Sequence, residues 1–256
     1  KLYVRKGNRW DAIGSENETD AKLQRLEEKL KNIEEKLVDV ISAQSSGSKF
    51  NPGKSCKDIL AVKKFVLSGI YWIKPSVNKL FQVYCDMETH GGGWTLVYSY
   101  TFTNYNSFGS SSNAVTPRPN WPASRANVPI STTPPLSESS LGAVDWNTWK
   151  NIGHEFMIKS NINDWIVCQP NSGSLVTKTT GSVSCQNIKN VATACRGVAP
   201  RRIGWYFYGP YLFASLLYYD FDGYRYSDWP THDPCGKNRQ NQKKGVSNPG
   251  GRMYLR

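Results

Sequence analysis

The sequence predicts an α+β protein: a disulfide-stabilised domain on a mixed or antiparallel sheet, preceded by a parallel coiled-coil helix. Three observations predict it. Apolar residues recur at helical spacing between residues 19 and 44, aromatic and β-branched runs alternate with turn formers from residue 69 onward, and six cysteines all lie at or after Cys56.

Residues 1–15 form a short β leader. Lys1-Leu-Tyr-Val-Arg-Lys-Gly-Asn-Arg-Trp-Asp-Ala-Ile13 alternates apolar and polar residues around Gly7-Asn8, which suits a hairpin turn. Asn17-Glu18-Thr19 is an Asn-x-Thr sequon, so Asn17 is a glycan acceptor in an exported protein. Residues 16–44 are expected to form the coiled coil. Leu23, Leu26, Leu30, Ile33, Leu37 and Val40 step by 3, 4, 3, 4 and 3, so Leu23, Leu30 and Leu37 occupy the a positions of a heptad and Leu26, Ile33 and Val40 the d positions. Lys22 and Lys29 then fall at g, Glu27 and Glu34 at e, and opposite charges meet across a parallel interface. Leu at a with Ile at d favours three or four strands over two. The competing reading is an amphipathic helix packed on its own domain. Charge on its other faces argues against that, as does Ser45-Ser-Gly-Ser48, which opens an expected linker over residues 45–54.

Residues 55–256 are expected to form the globular domain. Gly69-Ile-Tyr-Trp-Ile73 and Phe81-Gln-Val-Tyr-Cys85 suit a pleated surface and flank the turn-rich Lys74-Pro-Ser-Val-Asn-Lys79. A third run starts at Trp94 after Gly91-Gly-Gly93, where positive φ is available. Three antiparallel strands therefore open the domain. Cys56 precedes Cys85 by 29 residues, within reach of a bridge that staples the entry segment. Residues 101–140, rich in Asn, Ser, Thr and Pro, are expected to wrap the surface as an ordered loop. Val144, Trp146, Trp149, Ile152 and Phe156 are spaced for a helix, and a strand begins within Glu155–Lys159. Trp165–Cys168, Gly173–Lys178 and Gly181–Cys185 read as strands. Such a hairpin sets Cys168 near Cys185 and leaves Cys195 for Cys235, although four cysteines allow three pairings. The last quarter is the most aromatic part, and Gly250–Arg256 reads as a closing strand.

With 256 residues and 12% aromatics, the chain can bury a large aromatic core. An even cysteine count, no Cys-x-x-Cys pair and only His90, His154 and His232 favour disulfides in an oxidising compartment over metal-bound thiols. The longest apolar run, Tyr211–Tyr219, contains Ser215 and is too short to cross a bilayer, so no membrane span is expected. A chain that starts at Lys1 rather than Met is expected to derive from a longer, trimmed precursor, and a secreted, extracellular protein is the inference.

Net charge is +12, and residues 1–50 carry 10 Lys/Arg against 9 Asp/Glu, so the excess lies on the globular part. Arg201, Arg202, Lys237, Arg239, Lys243 and Lys244 are the expected polyanion-binding residues, with an acidic or sulfated glycan as partner. A merely solvated basic surface is the competing reading. Nucleic acid is the weaker partner because no reader motif is present.

No catalytic set can be assembled, and an enzyme is not expected. There is no Gly-x-Ser-x-Gly elbow, and His154-Glu155 lacks the second His of a zinc protease helix. Asp220-Phe-Asp222-Gly223, with Asp228 and Asp233, offers several hard oxygen ligands within 14 residues, as calcium requires. Tyr224, Tyr226, Trp229 and His232 lie close by and could stack on sugar rings; burial in the core is the alternative for each.

Cys56-Lys-Asp-Ile59, Gly69-Ile-Tyr-Trp-Ile73, Val83-Tyr-Cys-Asp-Met-Glu-Thr89 and Gly91-Gly-Gly-Trp-Thr95 together resemble the opening of a fibrinogen-like C-terminal domain; intelectins and fibrillar-collagen C-propeptides open similarly. The resemblance fades downstream. It implies a domain carried on a trimeric stalk that recognises carbohydrates, acetylated groups or protein receptors, and calcium held by an Asp-x-Asp loop that Asp220 and Asp222 match. Two departures stand out: no cysteine follows Cys235, and the family's wider acidic and asparagine pattern around the loop is missing. The leader resembles the small β-trimerisation segment of multiplexin collagens. The expected function is lectin-like recognition by a secreted homotrimer, in which three weak sites add up on a repetitive target. The alternative is a structural extracellular-matrix protein whose C-terminal domain drives trimerisation and matrix contacts.

Overall fold

The computed structural model describes residues 3–12, 16–62, 66–108, 111–226, 232–237 and 239–256. The leader is a hairpin of β1 (Tyr3–Lys6) and β2 (Arg9–Ala12), turned at Gly7 and paired from Tyr3 opposite Ala12 to Lys6 opposite Arg9. The heptad stretch is a single helix, α1 (Glu16–Gln44). Its six seam residues are 52–62% exposed, so no element among the described residues covers them.

The domain then runs α2 (Cys56–Val62), β3 (Gly69–Ser76), β4 (Lys79–Asp86), β5 (Trp94–Phe102), β6 (Val115–Thr116), β7 (Arg118–Pro119), β8 (Ile130–Ser131), β9 (Gly142–Ala143), α3 (Trp146–Ile152), β10 (Phe156–Ser160), β11 (Trp165–Pro170), β12 (Gly181–Lys189), β13 (Arg202–Trp205), β14 (Pro210–Phe213), β15 (Leu217–Asp220) and β16 (Gly250–Leu255). The main sheet is antiparallel in the order β15-β14-β13-β12-β11-β10-β16-β5-β4-β3, with β6 and β9 also on β5. The C-terminal strand is therefore central. It lies between β10 and β5, with Lys159 opposite Arg252 and Arg252 opposite Ser99.

Strand alternation divides the sheet into two faces. Phe156, Ile158, Ile166, Cys168, Met253 and Leu255 enter the large core with α2, α3, Trp121, Tyr219 and Phe221, while Met157, Val167 and Tyr254 form a smaller cluster with Trp94 and Leu96 on the other face. In a regular strand Leu96 and Tyr98 would share a face. The register shift between β5 and β16 re-aims them, so Tyr98 and Tyr100 point into the large core. Gly92 makes the preceding turn possible: its φ is +69°, and a Cβ there would lie 2.1 Å from the Met87 carbonyl oxygen.

Several stretches differ from the sequence expectation. Residues 45–54, read as a linker, lie against β3: Trp72 N–H donates to Gly47 O at 2.8 Å and Lys74 N–H to Gly53 O at 2.7 Å. Gly47 is needed there, since a Cβ would meet Tyr71 Cδ1 at 2.6 Å. Gly173–Lys178, read as a strand, is a turn closed by the Ser174–Thr179 bridge, and both Leu175 and Val176 plug the core from it. Residues 101–140 do not only wrap the surface. They carry short strands and bury Asn113, Val115 and Trp121. The expected helix is confined to α3, capped by Asp145 accepting from Asn147 N–H, while Phe156 belongs to β10.

Three disulfides staple the domain: Cys56–Cys85, Cys168–Cys185 across β11 and β12, and Cys195–Cys235.

Candidate functional site

Asp220 ends β15 opposite Tyr211, and the chain then leaves the sheet through Phe221-Asp222-Gly223. Backbone bonds fix this exit: Val115 N–H donates to Asp222 O at 2.7 Å, Phe221 N–H to Pro210 O at 3.0 Å, and Asn127 N–H to Gly223 O at 2.9 Å. Asp222 Oδ1 accepts the Tyr224 N–H at 2.7 Å. Both carboxylates are nearly buried. Burial pushes the Asp220 carboxyl well above the ordinary range, and the neighbouring Asp222 charge pushes in the same direction. A divalent cation would offset both effects, and carboxylate oxygens are the donors that calcium takes.

Two carboxylates are fewer than the six to eight oxygens calcium uses. Among the described residues no group of three or more His, Cys, Asp or Glu is placed to hold a metal. Asp233, counted with the acidic run, is committed to its own turn, accepting from the N–H groups of Cys235, Lys237 and Arg239 and from Asn241 Nδ2. Asp228 and Trp229 lie outside the described residues, as does the Asn17 side chain, whose backbone lies in the first turn of α1.

Of the expected aromatic contacts, Tyr224 stacks on Tyr208 at 5.1 Å and Tyr226, 69% exposed, stands beside it. His232 is a correction. It is fully buried against Phe102, Tyr219 and Phe221, with Nε2 2.7 Å from the Tyr100 hydroxyl, so a ligand in solution cannot reach it. Tyr206 and Phe207, which the sequence reading did not select, are exposed on a nearby loop with Arg125 over the Phe207 ring at 4.9 Å. Their doublet between Trp205 and Tyr208 was the available signal, but exposure cannot be read from residue type.

The six expected polyanion-binding residues are distributed over several clefts and turns. Arg201 and Lys237 line a cleft beside Cys185 and Cys235. Lys243 and Lys244, adjacent in sequence, open onto two different clefts. Arg202 is exposed on β13, and Arg239 lies in the turn organised by Asp233.

Sequence reasoning also missed a partly buried ion network on the smaller sheet face. Lys159 Nζ lies 2.5 Å from Asp86 Oδ2 and 2.9 Å from Glu138 Oε1. The Tyr254 hydroxyl donates to Glu138 Oε1 and Arg252 Nε to the Glu138 carbonyl. Burial pushes Asp86 up, but bonds from Lys159, Thr89 and Glu88 outweigh it and leave the carboxyl below its ordinary value. The only trace in the sequence is a lysine following the apolar run Phe156-Met-Ile158 of β10.

Comparison with known proteins places this geometry. Human fibrinogen gamma chain is 49% identical over 45 residues, covering 17% of this chain and 10% of that one. Human fibrinogen alpha chain is 41% identical over 58 residues, 22% and 7% of the two chains, and Veficolin-1 of Varanus komodoensis 46% over 41 residues, 16% and 18%. Over stretches of 41 to 58 residues this chain is similar to fibrinogen chains and to Veficolin-1. Each match spans less than a fifth of the relative's own length. A model of the fibrillar collagen C-terminal domain matches residues 18–123, which include most of α1, the opening strands of the globular domain and the Cys56–Cys85 bridge. The fibrinogen-like globe domains of human ANGPTL6 and ANGPTL2 overlay 80% of this chain, at 10% and 16% identity, covering 95% and 99% of those chains. Their TM-scores are 0.39 and 0.38.

Proposed function

We propose that this protein is a secreted recognition protein in which a trimer of fibrinogen-like domains binds glycans or acetylated ligands. The observation that carries the proposal is the helix α1, whose Leu, Ile and Val seam is exposed along its length immediately before a disulfide-stapled domain. Burying such a seam between parallel copies stabilises an oligomer, and several weak sites on one stem engage a repetitive surface far more tightly than one does. The relatives support a recognition role, since one of them is a ficolin-type protein by name. No helix among the described residues is long and apolar enough to cross a membrane.

Within each domain the ligand site is the aspartate loop and its aromatic ledge. Asp220 and Asp222 would hold calcium together with oxygens from the chain around them, and Tyr224 and Tyr226 would meet sugar faces. Calcium supplies a fixed positive centre for ligand oxygens; the residues position the rings around it. The test is a glycan screen of the purified protein with calcium and with a chelator. Retention on neutral or acetylated glycans that the chelator abolishes supports the reading, and no calcium-dependent retention on any glycan rejects it.

A second reading is favoured by the match to the fibrillar collagen C-terminal domain. In it the domain aligns three chains and joins them to extracellular matrix. Gly-x-y repeats in a longer precursor would favour that role.

A further inference from the structure

On the outer sheet face, away from the aspartate loop, a cleft of about 530 Å3 opens between β10, β11, the end of β12 and β16. Strand alternation places Lys159, Trp165 and Arg252 on this face with Met157, Val167 and Tyr254. Lys189 pairs with Trp165 across the ladder, and Lys243 enters from the loop before β16, held by its N–H to Ile162 O at 2.8 Å.

The charges around this cleft are not balanced. Lys159 is satisfied by Asp86 and Glu138, and the Glu138 carboxylate on the cleft wall is engaged in turn by Lys159 and the Tyr254 hydroxyl. Lys189, Lys243 and Arg252 make no ion pair within 4 Å among the described residues, although the Arg252 charge acts on the nearby Glu138 carboxylate. Arg252 commits only Nε, to the Glu138 carbonyl, which leaves the outer edge of its guanidinium for a planar or tetrahedral oxyanion. Trp165 is fixed by its Nε1 bond to Ser160 O at 2.8 Å, and its ring holds the Lys189 ammonium 4.1 Å and the Lys159 ammonium 5.0 Å from its centroid. One cation is thus held in place before any ligand arrives, so less entropy is lost on binding. With lysines over the ring and asparagines on the walls, the cleft suits a small, polar, strongly anionic ligand rather than an apolar one.

We propose that this cleft binds the sulfate group of a sulfated sugar, with Lys189, Lys243 and Arg252 as donors and Trp165 as the support that aims Lys189. The site is separate from the aspartate loop and needs neither calcium nor the coiled coil. A phosphate ester shares the tetrahedral oxyanion and is the rival ligand.

The test is isothermal titration of the full chain with a 6-sulfated chondroitin disaccharide, its unsulfated counterpart and glucose 6-phosphate, each with and without chelator. The sulfated disaccharide should bind, the unsulfated one at least tenfold more weakly, and the chelator should change nothing. Lys189→Gln and Arg252→Gln should each weaken binding about tenfold or more, as loss of a charge-assisted hydrogen bond does. Lys189 is exposed, so its variant is expected to keep the parent's melting temperature and to separate lost binding from lost folding. Lys54→Gln with Lys150→Gln removes two exposed charges outside the cleft and should leave affinity unchanged. Equal weakening by that pair would mean diffuse attraction to a basic protein and overturn the site. Equal binding of the unsulfated disaccharide, abolition by the chelator, binding of glucose 6-phosphate alone, or no binding of any probe would each overturn it too. None of these results bears on calcium-dependent recognition of neutral glycans.

Discussion

Lys159 is one ammonium shared by two carboxylates that cover the outer sheet face, and it is nearly buried. Replacing it by Met leaves Asp86 buried without its partner, and loss of one member of such a pair costs about 3–5 kcal/mol. Urea unfolding of Lys159→Met at neutral pH should show a midpoint lowered accordingly, with an unchanged m-value. The same carboxylates set an acid limit. Asp86 and Glu138 both sit below their ordinary values in the folded protein, so their contribution is present above the usual carboxylate range, near pH 4, and is lost as pH falls through the depressed values. Asp220 has the opposite sign. Its raised value means that the neutral acid stabilises the fold at low pH and that this contribution disappears as pH rises through the folded value. In calcium-free buffer, Asp220→Asn should therefore melt at a higher temperature than the parent at pH 7 and at nearly the same temperature at pH 4. At this scale the sequence is a poor guide to surroundings: His232 and Tyr226 looked equivalent as ligand contacts, yet one is sealed by four rings and the other stands in solvent.

Elements defined by local pattern were the legible ones. The seam of α1 follows from heptad spacing alone, and β3, β4 and β5 follow from pleat-compatible runs broken by turn residues. Elements defined by distant partners were not. β16 could be recognised as a strand, but its place between β5 and β10 depends on pairing with residues about 150 positions away, such as Gly250 with Thr101. Leu175 and Val176 misled for a related reason: two consecutive buried residues fit a turn that plugs the core as well as they fit a strand buried on both faces. The Cys195–Cys235 bridge closes a separation of 40 residues and holds the turn next to β15. Replacing both cysteines by Ala should cost about 2–5 kcal/mol, seen in thermal melts as a lowered transition. For α1, the proposed trimer predicts that Leu30→Ala with Ile33→Ala sediments as single chains while the domain keeps its melting temperature. An unchanged mass would mean that copies associate through another surface.

For the molecule as a whole, six cysteines and the aromatic content indicated a stapled domain with a large core, and three bridges around a ring-filled core are present. The charge excess was legible as a number but not as a pattern, because folding distributes neighbours such as Lys243 and Lys244 to different clefts. The stretch 45–54, expected as a linker, ties the chain leaving α1 to the domain through its backbone bonds to β3. Copies joined at the helix would then present their aspartate loops with restricted freedom, which raises the effective concentration of a second site once the first is bound. The most direct test is retention on surfaces coated with a neutral glycan, selected by the screen above, at graded density in the presence of calcium. The account predicts retention of the parent that rises steeply with density and falls by at least about a hundredfold in the Leu30→Ala, Ile33→Ala variant. Equal retention of parent and variant at every density would contradict it.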